Sequence, residues 1–380
     1  MCVSGWHPER QAVSSCLAQD ETRRARRAAV RKPRFASRLP GCFGLAAPLK
    51  SQAMWMLHCF RLLSLLLFTT NMSSGKLLPE AKVESRFLEE PRTVRIYLPP
   101  SYDRNFSRRF PVLYVHDGQN VFSSAGPDCC FGWGSWDLDR TVDRLCAEGR
   151  MREIIIVAVD NSRARYKEYR GRLHADEVSH KVKSKKPAPG AVTNTLDNAH
   201  FDAYANFLIK ELKPRIDREF RTLKTPANTA VIGSSLGGIC SMSLAWEFPR
   251  VFGRAASLSG SFQIERKNFL EQALRPFGAK PKALRLYLDS GTIDFTGDDD
   301  GRKLTSAMVA ELRRIGWKDE KNLRHFTDSA LAGEHEMEQA GLRRDKWGEA
   351  QKSQHNEFYW RLRVWRALEF LFPAEKKRGV

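Results

Sequence analysis

A chain of 380 residues with 42% hydrophobic residues and nine Trp can bury a sizeable core, which excludes a wholly disordered protein. Its formal charge of +19 would suggest a polyanion partner if the basic residues were spread over a folded surface. They are not: Arg23, Arg24, Arg26, Arg27, Arg31, Lys32, Arg34 and Arg38 crowd one N-terminal run with no acidic residue after Glu21, so no nucleic-acid partner is expected from net charge.

Residues 1–53 show neither strand alternation nor helical periodicity, and an Arg-rich, acid-poor segment of this kind is expected to carry no fold. Next, MWMLHCFRLLSLLLFTTNMSSGK places Arg61 ahead of an apolar stretch, Leu62 to Thr70, followed by small and polar residues at Ser73 to Gly75. That is the layout of a secretory signal peptide over 54–75, with Met54 or Met56 as a candidate start. The stretch is well short of the ~20 residues of a membrane span. A secreted or periplasmic protein without a stable membrane span is therefore expected; a buried apolar segment in a cytoplasmic protein, an anchor of marginal length and a transit peptide are the alternatives. Of the eight cysteines, Cys129, Cys130, Cys146 and Cys240 lie beyond this leader, without the C-x-x-C spacing of a zinc site. A bridge from Cys129 or Cys130 to Cys146 and free thiols both remain open.

From Arg92, RTVRIYLPPSYD alternates Val94, Ile96 and Leu98 with polar residues until Pro99 and Pro100 end it, the pattern of an antiparallel strand. Continuous apolar runs follow at Val112 to Val115, in IIIVAVDN, at Thr229-AVI, Ala255-ASLS and Ala283-LRLYLDSG, as suits strands covered on both faces. Between them lie helical patterns, including Tyr204-ANFLIKELKPRID and the segment from Lys303 to Ile315, where Leu304, Met308, Val309, Leu312 and Ile315 share one face. Buried strands alternating with amphipathic helices predict one α/β domain over about 78–375, with a mostly parallel central sheet flanked by helices. The stretch 163–200 interrupts the rhythm. It is long and basic at Lys181, Lys183, Lys185 and Lys186, and it follows the end of a strand, where ligands sit in open α/β sheets, so it is a candidate lid as well as a solvated surface loop.

Gly233-Ser234-Ser235-Leu236-Gly237 matches G-x-S-x-G between a buried strand and a helix, the context in which a serine occupies a strained turn with its Oγ raised above the sheet. Ser235 is the candidate nucleophile; Ser234 is expected to face away. A serine hydroxyl needs a base and a group that orients the base, in this arrangement an Asp or Glu and then a His on later loops. Asp294, a few residues past the strand ending near Leu288, is favoured as the acid over Asp289, whereas Asp298, Asp299 and Asp300 read as a solvated acidic turn complementing the following helix dipole. His355, directly before the amphipathic stretch EFYWRLRVWRALEFLF, is favoured as the base over His335. The tetrahedral oxyanion needs positioned N–H donors. Leu236, at the start of the helix, supplies one, and Gln119 in the His116-DGQN loop supplies the other, Gly118 permitting the tight path. No metal or organic cofactor is required by this chemistry.

RIYLPPSYD, LYVHDGQNVF, IVAVDN with the following EYR, AVIGSSLGG and the terminal HNEFYWRLRVWRALEFLFP together resemble the esterase family that includes enterochelin esterases, esterase D and feruloyl or acetylxylan esterases. The likeness runs from about Arg92 to Pro373. It implies an α/β-hydrolase fold and serine ester hydrolysis, with Ser235 as nucleophile, His355 in the family's H-x-E-x-x-W position and Asp294 as acid. Two departures stand out: the 163–200 loop is longer than expected, and a segment from Thr327 to Ser353 inserts His335. The expected substrate is a small-molecule or carbohydrate ester, of the acylated-carbohydrate or siderophore type. An acyltransferase on the same scaffold, and a non-catalytic glycan- or polyanion-binding protein, are the competing functions.

Overall fold

The structure is a computed structural model that describes residues 74–174 and 197–375. The basic leader expected over 1–53, nearly all of the signal peptide expected over 54–75, and 175–196 of the candidate lid lie outside the described residues.

The strands are β1 (Lys76–Leu77), β2 (Ala81–Val83), β3 (Arg92–Leu98), β4 (Val112–His116), β5 (Ile155–Val159), β6 (Thr229–Ser234), β7 (Arg254–Leu258), β8 (Arg285–Ser290) and β9 (Leu323–Thr327). They form one sheet in the order β1-β3-β5-β4-β6-β7-β8-β9, with β2 also pairing β3. β3 runs antiparallel to β1, β2 and β5, and every pairing from β5 to β9 is parallel.

Residue type explains this division. β4 and β5 are buried at every position, so their side chains feed an apolar layer on each face, as continuous Val, Ile and Leu runs require. The period of two sorts them. Val112, Tyr114, Ile155, Val157 and Val231 enter one core, and Leu113, Val115, Ile156, Ala158, Ala230 and Ile232 enter the other.

Helices cover both faces. On the first lie α3 (Ala199–Asn206), continued through Phe207–Leu212 to Lys213–Glu219, α4 (Leu236–Glu247) and α5 (Arg302–Ile315), which inserts Met308, Val309 and Leu312. On the second lie α1 (Leu138–Ala147) and α7 (Glu357–Leu371). α2 (Arg165–Tyr169) and α6 (Glu334–Gln339) are short and lie on the connections after β5 and β9. α7 buries Val364, Leu368 and Leu371 completely, each contributing on the order of 2 kcal/mol to its docking, and this anchors the loop just before it. The inserted segment after β9 builds a small satellite core from Ala332, Met337, Leu342 and Ala350 against Phe358 and Tyr359. Cys129, Cys130, Cys146 and Cys240 are free thiols. Among the described residues no helix is long and apolar enough to cross a membrane.

Candidate active site

The C-terminal ends of the parallel strands converge where open α/β sheets hold their ligands. β6 leads into the elbow. Ser235 adopts φ 53° and ψ −121°, a conformation that a non-glycine residue holds only when its surroundings enforce it. They do so here: the Ser235 N–H donates to the Leu258 carbonyl (3.0 Å), and the Ser235 carbonyl accepts from Gly238 (3.0 Å) and Ser261 (3.0 Å). Close approach of strand and helix needs Gly233, because a Cβ there would lie 2.5 Å from the Gly237 carbonyl carbon. Ser235 is half-buried with its hydroxyl toward the cavity, whereas Ser234 is buried.

His355 reaches this hydroxyl from the loop before α7, with Nε2 2.9 Å from Ser235 Oγ. On its other side Nδ1 lies 2.5 Å from Asp300 Oδ1. The carboxylate beside the histidine is thus Asp300, and the expectation of Asp294 is corrected. The Asp294 carboxylate instead closes its own turn, accepting from the Thr296 N–H (2.8 Å) and hydroxyl (2.6 Å) and from the Asp298 N–H (3.1 Å). Asp300 takes a left-handed φ of 49° just before α5, which turns its side chain inward, where only 2% of the residue is exposed. Its Oδ2 accepts from Ser259 Oγ (2.6 Å) and the Gly291 N–H (2.5 Å), with Arg363 Nη2 at 3.7 Å. Burial pushes the Asp300 carboxyl up, but His355, Arg363 and Ser259 outweigh it and hold the group below the usual carboxylate range, so it stays ionised.

Asp289, the less favoured alternative, is fully buried one step further from the histidine: it accepts from Arg363 Nε (3.0 Å) and Tyr287 Oη (3.0 Å), and Arg363 and Ser259 connect it to Asp300. His335 is exposed and pairs with Gln339 (2.9 Å), away from Ser235. Gln354, fully buried beside the base, ties three loops together. Its Oε1 accepts from the Thr292 N–H (2.6 Å) and hydroxyl (2.9 Å), and its Nε2 donates to the carbonyls of Asp328 (3.1 Å) and Ala330 (2.9 Å). Ser261 Oγ stands 3.1 Å from Ser235 Oγ, a neighbour the motif alone does not reveal.

Gln119 lies in the one-turn helix Gly118–Asn120 after β4, and Leu236 opens α4. Among the described residues the turn and cap hydrogen bonds use neither N–H, and the N–H of a residue opening a helix has no intrahelical acceptor. His116 is buried behind this loop, bonded through Nδ1 to Tyr204 Oη (2.8 Å). The cavity at Ser235 has a volume of about 650 Å³, lined by Gln119, Trp133, Trp136, His355, Glu357 and Trp360 among others.

Residues 85–367, well over half of the chain, match the family described as "Putative esterase". The chain belongs to this esterase family. That makes it a carboxylic ester hydrolase by class. It is 24% identical over 229 residues to the uncharacterized protein YbbA of Bacillus subtilis, covering 59% of this chain and 74% of that one. It is also 24% identical over 241 residues to an endo-1,4-beta-xylanase/feruloyl esterase of Xylanibacter ruminicola, covering 60% of this chain but 26% of that protein. Among solved structures, a ferulic acid esterase superposes with a TM-score of 0.53 at 15% identity, over 79% of this chain and 98% of the other. The enterobactin esterase of Shigella flexneri does so with 0.51 at 16%, over 78% and 59%. Identities this low show the fold, which is that of the α/β-hydrolases.

Proposed function

We propose that the protein hydrolyses carboxylic esters through Ser235, His355 and Asp300. Ser235 Oγ attacks the acyl carbon while His355 Nε2 takes its proton, and Asp300 orients the imidazole and stabilises the imidazolium. The carbonyl oxygen becomes an oxyanion held by the N–H groups of Gln119 and Leu236. Collapse breaks the bond to the alcohol, which leaves with the proton from His355; water then repeats the sequence on the acyl enzyme. The observation that carries this reading is the unbroken hydrogen-bonded line Ser235–His355–Asp300, at 2.9 and 2.5 Å, opening onto one cavity.

For the substrate we infer an ester with an aromatic acyl group on a carbohydrate or siderophore-type alcohol. Trp133, Trp136 and Trp360 in the cavity wall support it, as do the feruloyl and enterobactin esters in the names of the similar proteins. A secreted location accompanies this reading, on the leader's layout.

Turnover of p-nitrophenyl acetate by wild type and Ser235→Ala tests the mechanism. Activity is expected in the first and not in the second, and equal rates would remove it. A panel of feruloyl esters, 2,3-dihydroxybenzoyl esters, acetylated xylan and short-chain esters tests the acyl class: kcat/KM is expected to be higher for the aromatic esters, and a preference for acetyl would overturn that assignment.

A further inference from the structure

We propose that Arg165 and Asp117 form a clamp that positions the oxyanion-binding peptide of Gln119; this rests on the esterase reading above. The Gln119 N–H can face a tetrahedral intermediate only if the chain turns abruptly at the end of β4. The turn is made at Asp117, which sits at φ 56°, ψ 48° in the left-handed region, a conformation uncommon outside glycine that Asp adopts more readily than most residues when its carboxylate is engaged by hydrogen bonds. The holding contacts come from beyond β5. Arg165 of α2 grips the Asp117 carboxylate with two parallel bonds, Nε to Oδ1 (2.7 Å) and Nη2 to Oδ2 (2.8 Å), and Asn161 Nδ2 adds a third to Oδ1 (2.6 Å). The guanidinium carbon sits 5.6 Å from the ring centre of Tyr169, whose ring in turn packs 5.0 Å from that of His116, the residue before Asp117.

Two further contacts fix the peptide itself. The Asn161 N–H donates to Gln119 Oε1 (3.2 Å), and Gly118 is pressed so closely on β5 that a Cβ would lie 2.8 Å from the backbone of Ala158 and Val159. Movement of the Gln119 N–H away from the oxyanion therefore requires release of the Asp117 carboxylate. The ion pair has a second effect. Asp117 and Arg165 line the same cavity as Ser235, and a carboxylate left bare there would repel the negative charge developing on the substrate oxygen. Arg165 thus acts through Asp117 and Gln119 and needs no contact with the substrate.

Arg165→Ala and Arg165→Lys in the full chain test the clamp. Active sites are titrated with a fluorophosphonate, so that misfolded protein drops out of the rate. Arg165→Ala is expected to lower kcat per titrated site about 10- to 100-fold, with KM within about threefold, because misplacing a preorganised donor costs rate and not ground-state binding. Affinity for a trifluoromethyl ketone, which forms the tetrahedral adduct, should weaken by the same factor as kcat/KM. Arg165→Lys should recover only part of the loss, since an ammonium cannot reproduce the fork. Unchanged kcat and ketone affinity in Arg165→Ala, with a wild type that labels at Ser235 and turns over, would overturn the clamp and leave the esterase reading intact. A raised KM at wild-type kcat would also overturn it, by making Arg165 a substrate-binding residue. A wild type that neither labels nor turns over would remove the esterase reading itself.

Discussion

Asp300 fixes His355 with one carboxylate oxygen while Ser259 and Gly291 occupy the other, so the imidazole is held by an acceptor that cannot rotate. Asp300→Asn keeps the shape but removes the charge and offers a donor where Nδ1–H needs an acceptor. A loss of about a thousand- to ten-thousandfold in kcat is expected, whereas Asp294→Asn should stay within about threefold. Kinetics of both variants on one p-nitrophenyl ester decide the matter, and a large loss confined to Asp294→Asn would return the role to Asp294. Ser235 and His355 were legible because each stands at a marked junction: a G-x-S-x-G turn between strand and helix, and the residue just ahead of the terminal amphipathic helix. Asp300 was not. Three consecutive acids before a helix look solvated, and what buries the last of them is remote in sequence, namely Ser259 after β7 and Arg363 on α7. The Asp300-Gly301 pair, a turn-forming dipeptide, is the one local sign that the chain reverses there.

The loops after β8 and β9 and the loop before α7 meet on Gln354, which contributes no chemistry but joins them with buried hydrogen bonds. Gln354→Ala leaves the Thr292 N–H and the Asp328 and Ala330 carbonyls without these partners. A loss of about 2–4 kcal/mol in unfolding free energy is expected, since each buried orphan costs about 1–3 kcal/mol. Urea denaturation measures it; a change below about 0.5 kcal/mol, the range of surface substitutions, would mean that the loops hold without Gln354. At this scale the strands β3 to β8 could be read as continuous or alternating apolar runs. β9 could not: it pairs only with β8 at the sheet edge, and Leu323 is its single fully buried residue, so LRHFT shows neither pattern. β1 and β2, with two and three residues, are too short for any periodicity and exist through their pairing with β3.

Across the whole molecule, two buried groups on opposite sides of the site set opposing responses to pH. Burial pushes the His116 imidazole down to about 4; Arg165 adds to this and Asp117 opposes it, while Nε2 has no hydrogen-bond partner among the described residues. Between about 4 and 6.5 the unfolded chain binds a proton at His116 that the folded protein does not, so this residue makes stability fall as the pH falls. Burial pushes Asp289 up to about 6 although Arg363, Tyr287 and Ser259 favour its charged form. Between 3.8 and about 6 the folded protein keeps a proton at Asp289 that the unfolded chain has released, so this residue makes stability rise as the pH falls. The two responses therefore oppose one another over the interval they share. Asp300, held below the usual carboxylate range, withdraws its own contribution progressively as the pH falls toward and below 3.8, so it adds to the loss of stability at the acid end of that interval. Relative to wild type, His116→Gln should gain stability as the pH is lowered from 6.5 to 4 and Asp289→Asn should lose it, so that the two changes in slope have opposite sign. Urea midpoints at half-unit pH steps measure both, and variants whose slopes match the wild type would show that neither group changes its proton affinity on folding.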